Sequence, residues 1–221
     1  MEGLSQTLQP YKSLVAELAT WVTIVQFFSG SLICKDIYKK GTTRGFNANL
    51  FIGGATIGLL NLKFGYLLKD EAMIKVNIAA VILNFLYLMV YYKYAENKSN
   101  EVLKPVGYAV AFLAILLGYS EIEQTEMIEF RFGMILTILS LILLGFPLLD
   151  VKEIITKKDA SSIPFPITFM GSIVTLLWLI YGIILQNYFI IFQNVVGCTL
   201  CVLQLILIFL YPGEGSAPHE D

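Results

Sequence analysis

Residues 178–211 read WLIYGIILQNYFIIFQNVVGCTLCVLQLILIFLY, and residues 61–94 read NLKFGYLLKDEAMIKVNIAAVILNFLYLMVYYKY. The two stretches align without a gap at an offset of 117 residues, and nine of the 34 pairs are identical. Asn77 and Asn194 form one identical pair, and each lies inside an otherwise apolar run. Because a buried amide must find hydrogen-bonding partners, an Asn present in both copies indicates a shared role.

The duplication extends towards the N-terminus of both stretches. At the same offset, Thr20 pairs with Thr137. Residues 14–94 therefore form a first repeat and residues 131–211 a second, each with three apolar spans. Since three crossings would leave the second repeat inverted, one further span between the repeats restores its orientation. The sequence predicts two parallel three-helix bundles joined by one linker helix, a plan typical of transporters.

The composition is that of a membrane protein. Hydrophobic residues make up 57% of the chain and charged residues 14%, and the mean hydropathy is +0.72. Soluble domains carry about 25% charged residues. Most of the apolar spans approach the ~20 residues that a helix needs to cross a bilayer. The sequence predicts an all-α membrane protein whose seven transmembrane helices cover residues 14–34, 46–68, 71–92, 103–120, 131–150, 164–186 and 189–211.

Lys and Arg residues in the short connections predict the orientation. Ten lie on one side of the predicted membrane and three on the other, and the basic side is usually cytoplasmic. We expect a multi-pass plasma-membrane protein with its N-terminus outside, and the Golgi membrane is the alternative location. The predicted parts are an extracellular N-terminus (1–13), the first repeat (14–94), a linker with transmembrane helix 4 (95–130), the second repeat (131–211) and a cytoplasmic tail (212–221).

Several classes of function are disfavoured by what the sequence lacks. The only histidine, His219, lies in the polar tail, so histidine-based catalysis and metal binding are not expected. Cys198 and Cys201 form a single Cys-x-x-Cys pair in an apolar run, which favours helix packing over a metal or redox site. The net charge of −2 argues against nucleic-acid binding. No nucleophile–base pair or carboxylate cluster in the spans predicts an enzyme, and we expect no cofactor.

Four polar or aromatic residues are candidates for binding a small solute. Asn77 and Asn194 lie about two turns into their spans, and an amide supplies the donors and the acceptor that sugar hydroxyls require. The structural alternative is a hydrogen bond between helices. Trp178 lies in mid-span, where an indole face can stack on a sugar ring or simply pack. Its counterpart Asn61 would add a hydrogen bond at the equivalent position.

Three residues are candidates for hinges of a moving bundle. Pro147 and Pro164 lie near the inner ends of the fifth and sixth spans, and proline removes a helical hydrogen bond. Gly30 is the counterpart of Pro147 and also weakens a helix. The alternative is that these residues set static bends or a helix start.

Four stretches together resemble the SWEET sugar transporters. The resemblance is to the animal members of that family, and especially to the insect members. They are FFSGSLICKDIYKKGT (27–42), FPLLDVKEIITKKDASSIPFP (146–166), WLIYGIILQNYFIIFQNVVG (178–197) and LQLILIFLYP (203–212). The resemblance implies facilitative, bidirectional uniport of mono- or disaccharides by alternating access. It also implies homo-oligomers, which are frequent in that family.

The family's sugar site takes a Trp and an Asn from each repeat. Asn77, Trp178 and Asn194 match that pattern, whereas Asn61 stands where the first-repeat Trp is usual. Of the family's four pivot prolines, Pro147 and Pro164 match.

Two other classes of protein remain as alternatives. A seven-helix receptor has the same number of spans, but large rhodopsin-like receptors do not show this internal repeat. A related repeat transporter for a non-sugar solute would usually contain Pro-Gln pairs, and this sequence has none.

Overall fold

The structure, a computed structural model, describes residues 2–145 and 148–212 of the chain. All regular secondary structure in these two ranges is helical. A 3-10 helix covers Gln9–Tyr11 and a π-helix covers Ser99–Leu103. The α-helices are α1 (Glu2–Leu8), α2 (Lys12–Phe27), α3 (Gly30–Lys40), α4 (Asn49–Leu67), α5 (Glu71–Tyr94), α6 (Lys104–Ile122), α7 (Thr125–Gly145), α8 (Leu148–Lys157), α9 (Phe165–Leu185) and α10 (Tyr188–Leu210).

Within the described ranges, six helical segments are long and apolar enough to cross a membrane. They match six of the seven predicted spans. The fifth predicted span, residues 131–150, overlaps α7 and α8, and residues 146 and 147 between these helices lie outside the described part of the chain. The six segments are Glu2–Lys40, Asn49–Leu67, Glu71–Tyr94, Ser99–Ile122, Phe165–Leu185 and Tyr188–Leu210.

The chain divides into two compact units. One is Thr20–Leu136, and the other combines the described residues of Met1–Ala19 and Thr137–Asp221. The N-terminal helix α1 therefore packs with elements from the C-terminal part of the chain. The repeat boundaries at 14–94 and 131–211 stay a prediction.

Two side chains at the N-terminus of the chain bind α1 to the last turn of α9 by donating to the same carbonyl. The Ser5 hydroxyl donates to the carbonyl of Ile184 at 3.2 Å, and the Gln9 amide donates to the same carbonyl at 2.9 Å. Carbonyls in the last turn of a helix lack intrahelical partners, so these two side chains satisfy one of them. Ser5 is 1% exposed, which shows how closely α1 lies against α9.

The first predicted connection on the basic side is helical, which corrects the expectation of a loop there. Lys35, Lys39 and Lys40 lie on α3, which ends at Gly41. Gly41 adopts φ +68°, the left-handed conformation that glycine reaches without strain, and its N–H bonds to the Ile37 carbonyl at 2.9 Å. The lysines of the last turn also interact favourably with the negative end of the helix dipole.

The hairpin between α4 and α5 ends one helix and starts the next within three residues. Lys69 adopts φ +54°, and the Asp70 N–H bonds to the Gly65 carbonyl at 2.9 Å, closing the end of α4. The Asp70 carboxylate then accepts the N–H of Met73 at 2.8 Å and caps α5.

The hairpin between α9 and α10 repeats this arrangement with different side chains. Gln186 adopts φ +54°, and the Asn187 N–H bonds to the Gly182 carbonyl at 3.0 Å. The Asn187 side-chain oxygen accepts the N–H groups of Phe189 and Ile190, both at 3.1 Å. Because the two turns are equivalent, the helices that follow them begin in the same register.

The C-terminal end of α6 is joined to α7 through Glu123. Its carboxylate accepts the Tyr119 hydroxyl at 2.5 Å, the Arg131 guanidinium at 2.6 Å and the Gln124 N–H at 2.9 Å. These bonds, that from Tyr119 foremost, lower the pKa of Glu123 to about 2 from an ordinary 4.5. The carboxylate therefore stays ionised across the physiological pH range.

This shift predicts a pH-dependent contribution to stability. A lowered folded-state pKa stabilises the protein above pH 4.5, and the stabilisation is lost as the pH falls towards 2. Glu123→Gln should therefore melt below the wild type at pH 7, and the difference should shrink between pH 4.5 and pH 3. Glu126→Gln, in the first turn of α7, is the control. A difference that is constant with pH would contradict this assignment.

Candidate functional site

Helices α4 and α5 pack antiparallel through glycines of α4. A methyl group added at Gly65 would lie 3.1 Å from Met73 Cβ, and one at Gly58 would lie 3.1 Å from Val81 Cγ2. The backbone of α4 therefore approaches α5 closely at both heights. These two contacts fix which residues of the pair lie opposite each other.

Asn61 and Asn77 fall midway between those two contacts, one on each helix. The register places them at the same height of the α4–α5 pair. The Asn61 amide donates to the Ile57 carbonyl at 3.1 Å, and the Asn77 amide donates to the Met73 carbonyl at 2.8 Å. Both side chains are half-buried. In the described part of the chain, each thus bonds only the preceding turn of its own helix.

Helices α9 and α10 pack in the same way in the other unit. A methyl group at Gly182 would lie 2.9 Å from Ile190 Cγ2, and one at Gly197 would lie 2.9 Å from Thr175 Cγ2. Gly197 is the counterpart of Ala80, and Thr175 is the counterpart of Gly58. At this crossing the glycine is on the first helix of the α4–α5 pair and on the second helix of the α9–α10 pair. The two helices approach each other closely in both pairs.

Trp178 and Asn194 lie midway between the two α9–α10 contacts and so share one height. The Asn194 amide donates to the Ile190 carbonyl at 2.8 Å, as Asn77 does to its own preceding turn. The Trp178 ring meets the Tyr181 ring edge-on, with 5.7 Å between centroids and 76° between planes. Trp178 and Asn194 are both half-buried.

Asn77 and Asn194 have the same chemical environment in their respective units. Each is the seventh residue of its helix, counted from equivalent caps. In the described part of the chain, neither side-chain oxygen accepts a hydrogen bond, and one amide N–H of each is also unused. Each amide can therefore accept one hydrogen bond from a hydroxyl and donate another.

Of the three hinge candidates, Gly30 lies at an interruption of the first long helical segment. Helix α2 ends at Phe27 and α3 begins at Gly30, and the Tyr87 hydroxyl donates to the Phe27 carbonyl at 3.2 Å. A methyl group at Gly30 would lie 2.5 Å from Tyr87 Cε2, so a larger residue there would have to displace this ring.

The two proline candidates are placed differently. Pro164 precedes the first residue of α9, with φ −75° and ψ 106°, so it marks a helix start and does not bend a continuous helix. Pro147 lies outside the described residues.

The cysteine pair of α10 lies in a polar contact with α9. Cys198 Sγ is 3.2 Å from the Thr175 hydroxyl, and Cys198 and Cys201 are free thiols. Within the described part of the chain, no three His, Cys, Asp or Glu side chains are grouped so that they could hold a metal ion.

A third amide, Asn84, lies on the same face of α5 as Asn77, seven residues further along. The repeat comparison missed it because its counterpart at the offset of 117 is Cys201. The signal that would have found it is the helical period, since residues seven apart share one face.

The fold defines the class of protein. The structure of a eukaryotic SWEET transporter matches this one with a TM-score of 0.80, at 18% sequence identity, over 90% of this chain and 98% of that chain. This likeness confirms the predicted all-α membrane fold with seven spans in a 3+1+3 order. The chain therefore has the fold of a multi-pass membrane transporter.

A family model described as "Sugar efflux transporter for intercellular exchange" matches the chain twice, at residues 13–99 and 130–215. The chain belongs to this family, the SWEET transporters, as its sequence motifs predicted. It is therefore a member of a transporter family, and the seven-helix receptor weighed from the sequence is not supported.

Curated relatives from animals and plants are similar over most of the chain. A protein named sugar transporter SWEET1 from Drosophila pseudoobscura pseudoobscura is 30% identical over 90% of this chain and 89% of its own length. The rat protein of the same name is 25% identical over 94% of this chain and 95% of its own length. The bidirectional sugar transporter SWEET10 of Arabidopsis thaliana is 24% identical over 83% of this chain, which covers 65% of the plant protein.

Proposed function

We propose that this protein is a facilitative, bidirectional sugar uniporter that moves mono- or disaccharides across the membrane by alternating access. The observation that carries the proposal is the equivalence of Asn77 and Asn194. Each amide is half-buried in an apolar helix, bonds only its own helix and keeps an acceptor and a donor for a solute. Family membership supports a sugar as that solute.

Four residues, two from each repeat, bind the sugar in this proposal. Asn77 and Asn194 exchange hydrogen bonds with hydroxyl groups, since each amide has capacity for both an accepted and a donated bond. Trp178 presents an apolar ring to the C–H face of the sugar. Asn61 replaces the Trp that is usual in the first repeat, so that side of the site recognises hydroxyls and does not stack.

The hinge roles belong to the same proposal. The interruption of the helix between Phe27 and Gly30 gives the first repeat a point at which two rigid helical pieces can change their angle. A pivot role in the second repeat for Pro164, at the start of α9, and for Pro147 stays a prediction. Among the three hinge candidates, Gly30 has the most direct support, because it lies where α2 ends and α3 begins.

Transport is passive in this account. A proton-coupled transporter usually carries a carboxylate deep in its spans. Helices α4, α9 and α10 contain no Asp or Glu, and the only one in α5 is Glu71, its first residue. The distribution of charge therefore favours movement of sugar down its own gradient.

We further propose that the N-terminus is extracellular and the C-terminus cytoplasmic, in the plasma membrane or alternatively the Golgi membrane. The basic residues of α3 and of the start of α6 support this orientation, since they lie on the predicted inner side. The division into repeats at 14–94 and 131–211, with the linker at 95–130, is part of the same proposal. Association into homo-oligomers stays a prediction.

The orientation makes a prediction about glycosylation. The sequence Asn97-Lys98-Ser99 is a glycosylation acceptor that would lie on the cytoplasmic side. We expect no glycan at Asn97 when the protein is expressed in a glycosylating cell. The check is gel mobility with and without a glycosidase, with Asn97→Gln as the matched control. A glycosidase-sensitive shift that Asn97→Gln removes would reverse the proposed orientation.

Uptake into proteoliposomes tests the proposed function. The purified protein is reconstituted and the entry of labelled glucose, trehalose and sucrose is followed over a range of concentrations. We expect saturable uptake of at least one sugar, unaffected by an imposed proton gradient. No saturable uptake of any of the three, with a protein shown separately to be folded, would contradict the proposal.

A further inference from the structure

Asn84 lies deeper in its span than the four residues of the proposed sugar site lie in theirs. It is the fourteenth of the 24 residues of α5, close to the middle of that helix. Asn77 lies on the same face, ~10.5 Å closer to the outer end at 1.5 Å of rise per residue. A polar amide at mid-span is costly and points to a functional role.

The amide of Asn84 packs against Gly54 of α4, but in the described part of the chain it makes no hydrogen bond to that helix. Its N–H donates at 2.8 Å to the Ala80 carbonyl, in the preceding turn of the same helix. Asn77 makes the equivalent bond within α5. In the described part of the chain, no hydrogen bond is recorded to the Asn84 side-chain oxygen, and the side chain is half-buried. A residue that serves only to join helices would bond across the interface instead.

The neighbouring helix makes room for this amide. A methyl group at Gly54 would lie 2.5 Å from Asn84 Oδ1 and 2.9 Å from Asn84 Nδ2. At the adjacent Gly53 the same methyl group would meet nothing within 4 Å. Position 54 of α4 is thus open for the Asn84 amide, and any larger residue there would displace it.

We infer that Asn84 is a further sugar-contacting residue, which receives a hydroxyl after the sugar has moved inward from Asn77. Its oxygen accepts a hydrogen bond from the sugar, and its second N–H donates one. This inference rests on the proposed function. It adds a second polar position to the first repeat, at a depth where the second repeat has Cys201 at the equivalent place.

The test compares the Michaelis constant of Asn84→Ala with that of the wild type in proteoliposomes. The probe is whichever of glucose, trehalose and sucrose the wild type carries fastest. Loss of the amide should raise KM about tenfold, the effect of losing one to two hydrogen bonds. Asn84→Ser, which keeps a donor and an acceptor, should recover part of the loss. Ile82→Ala, a neighbour that is 53% exposed on another face of α5, should leave KM within about twofold of the wild type.

Monodeoxy derivatives of the same sugar separate contact from a structural role. If Asn84 binds one hydroxyl, the derivative that lacks this hydroxyl should bind the wild type more weakly than the parent sugar does. The Asn84→Ala variant should then bind the derivative and the parent sugar equally well. If the residue acts only through packing, every derivative will lose the same factor in both proteins, and the inference is wrong. An unchanged KM in Asn84→Ala would also overturn it.

Melting temperatures show whether a change in KM comes from loss of the Asn84 amide or from a destabilised fold. Gly54→Ala should lower the melting temperature in detergent because its methyl group meets Asn84, and adding Asn84→Ala should restore it without restoring KM. Gly53→Ala is the matched control and should melt slightly above the wild type, because its methyl group meets nothing within 4 Å and alanine favours a helix over glycine. A double variant with wild-type KM would overturn the inference. A wild type that carries no sugar would instead refute the proposed function.

Discussion

Asn194→Ala will lower sugar uptake about 30-fold at sugar concentrations below saturation, and Asn77→Ala will do the same. In the proposed site, each substitution removes one accepted and one donated hydrogen bond to the sugar, together worth about 2 kcal/mol. The folded protein should tolerate the change, because each amide bonds only the carbonyl one turn back in its own helix. The measurement is initial uptake in proteoliposomes, corrected for the amount of reconstituted protein.

The matched control for these variants is Asn100→Ala, an exposed amide of the π-helix outside the proposed site. It should transport like the wild type. If Asn77→Ala and Asn194→Ala retain wild-type uptake, or lose only as much as Asn100→Ala, the two amides are structural and the proposed sugar site is wrong.

Gly182→Ala will destabilise the protein by about 1–3 kcal/mol, the usual cost of inserting an extra group into a well-packed contact. The new methyl group would lie 2.9 Å from Ile190 Cγ2 and 3.1 Å from the Ile191 backbone nitrogen. The side chain can rotate, but the backbone of α10 cannot yield without shifting the hairpin. The same hairpin positions Trp178 and Asn194, so uptake should fall as well.

The control variant is expected to change the stability in the opposite direction. Gly118→Ala lies in helix α6, where an added methyl group meets nothing within 4 Å. Alanine favours a helix over glycine by about 1 kcal/mol, so this variant should be slightly more stable than the wild type. Thermal unfolding in detergent measures both variants. If Gly182→Ala is as stable as Gly118→Ala, the close helix crossing described for α9 and α10 is incorrect.

The part of the fold that could be predicted from the sequence is the part that was duplicated. Aligning residues 61–94 with 178–211 found both helix pairs and the identical Gly65 and Gly182, because a shared backbone crossing preserves a glycine. The register that brings Trp178 to the height of Asn194 then follows from equivalent turns. The roles assigned to these residues stay predictions.

Other features depend on contacts that no local pattern encodes. The bond from Ser5 to the Ile184 carbonyl joins residues 179 apart in sequence, so the sequence predicts residues 1–13 only as a short extracellular N-terminus and does not predict their packing on α9. The lysines of α3 predict a connecting loop, whereas the chain stays helical to Lys40 and is capped only at Gly41. Asn84 was overlooked because a comparison between repeats detects only what both copies retain.

Counterflow tests the central claim, passive sugar transport by alternating access, most directly. Proteoliposomes are loaded with a high concentration of unlabelled sugar and diluted into a trace of the labelled sugar. A uniporter whose site opens alternately to each side should accumulate label transiently above its outside concentration, with no ion gradient. Label that rises only to equilibrium, or does not enter at all, would contradict the account.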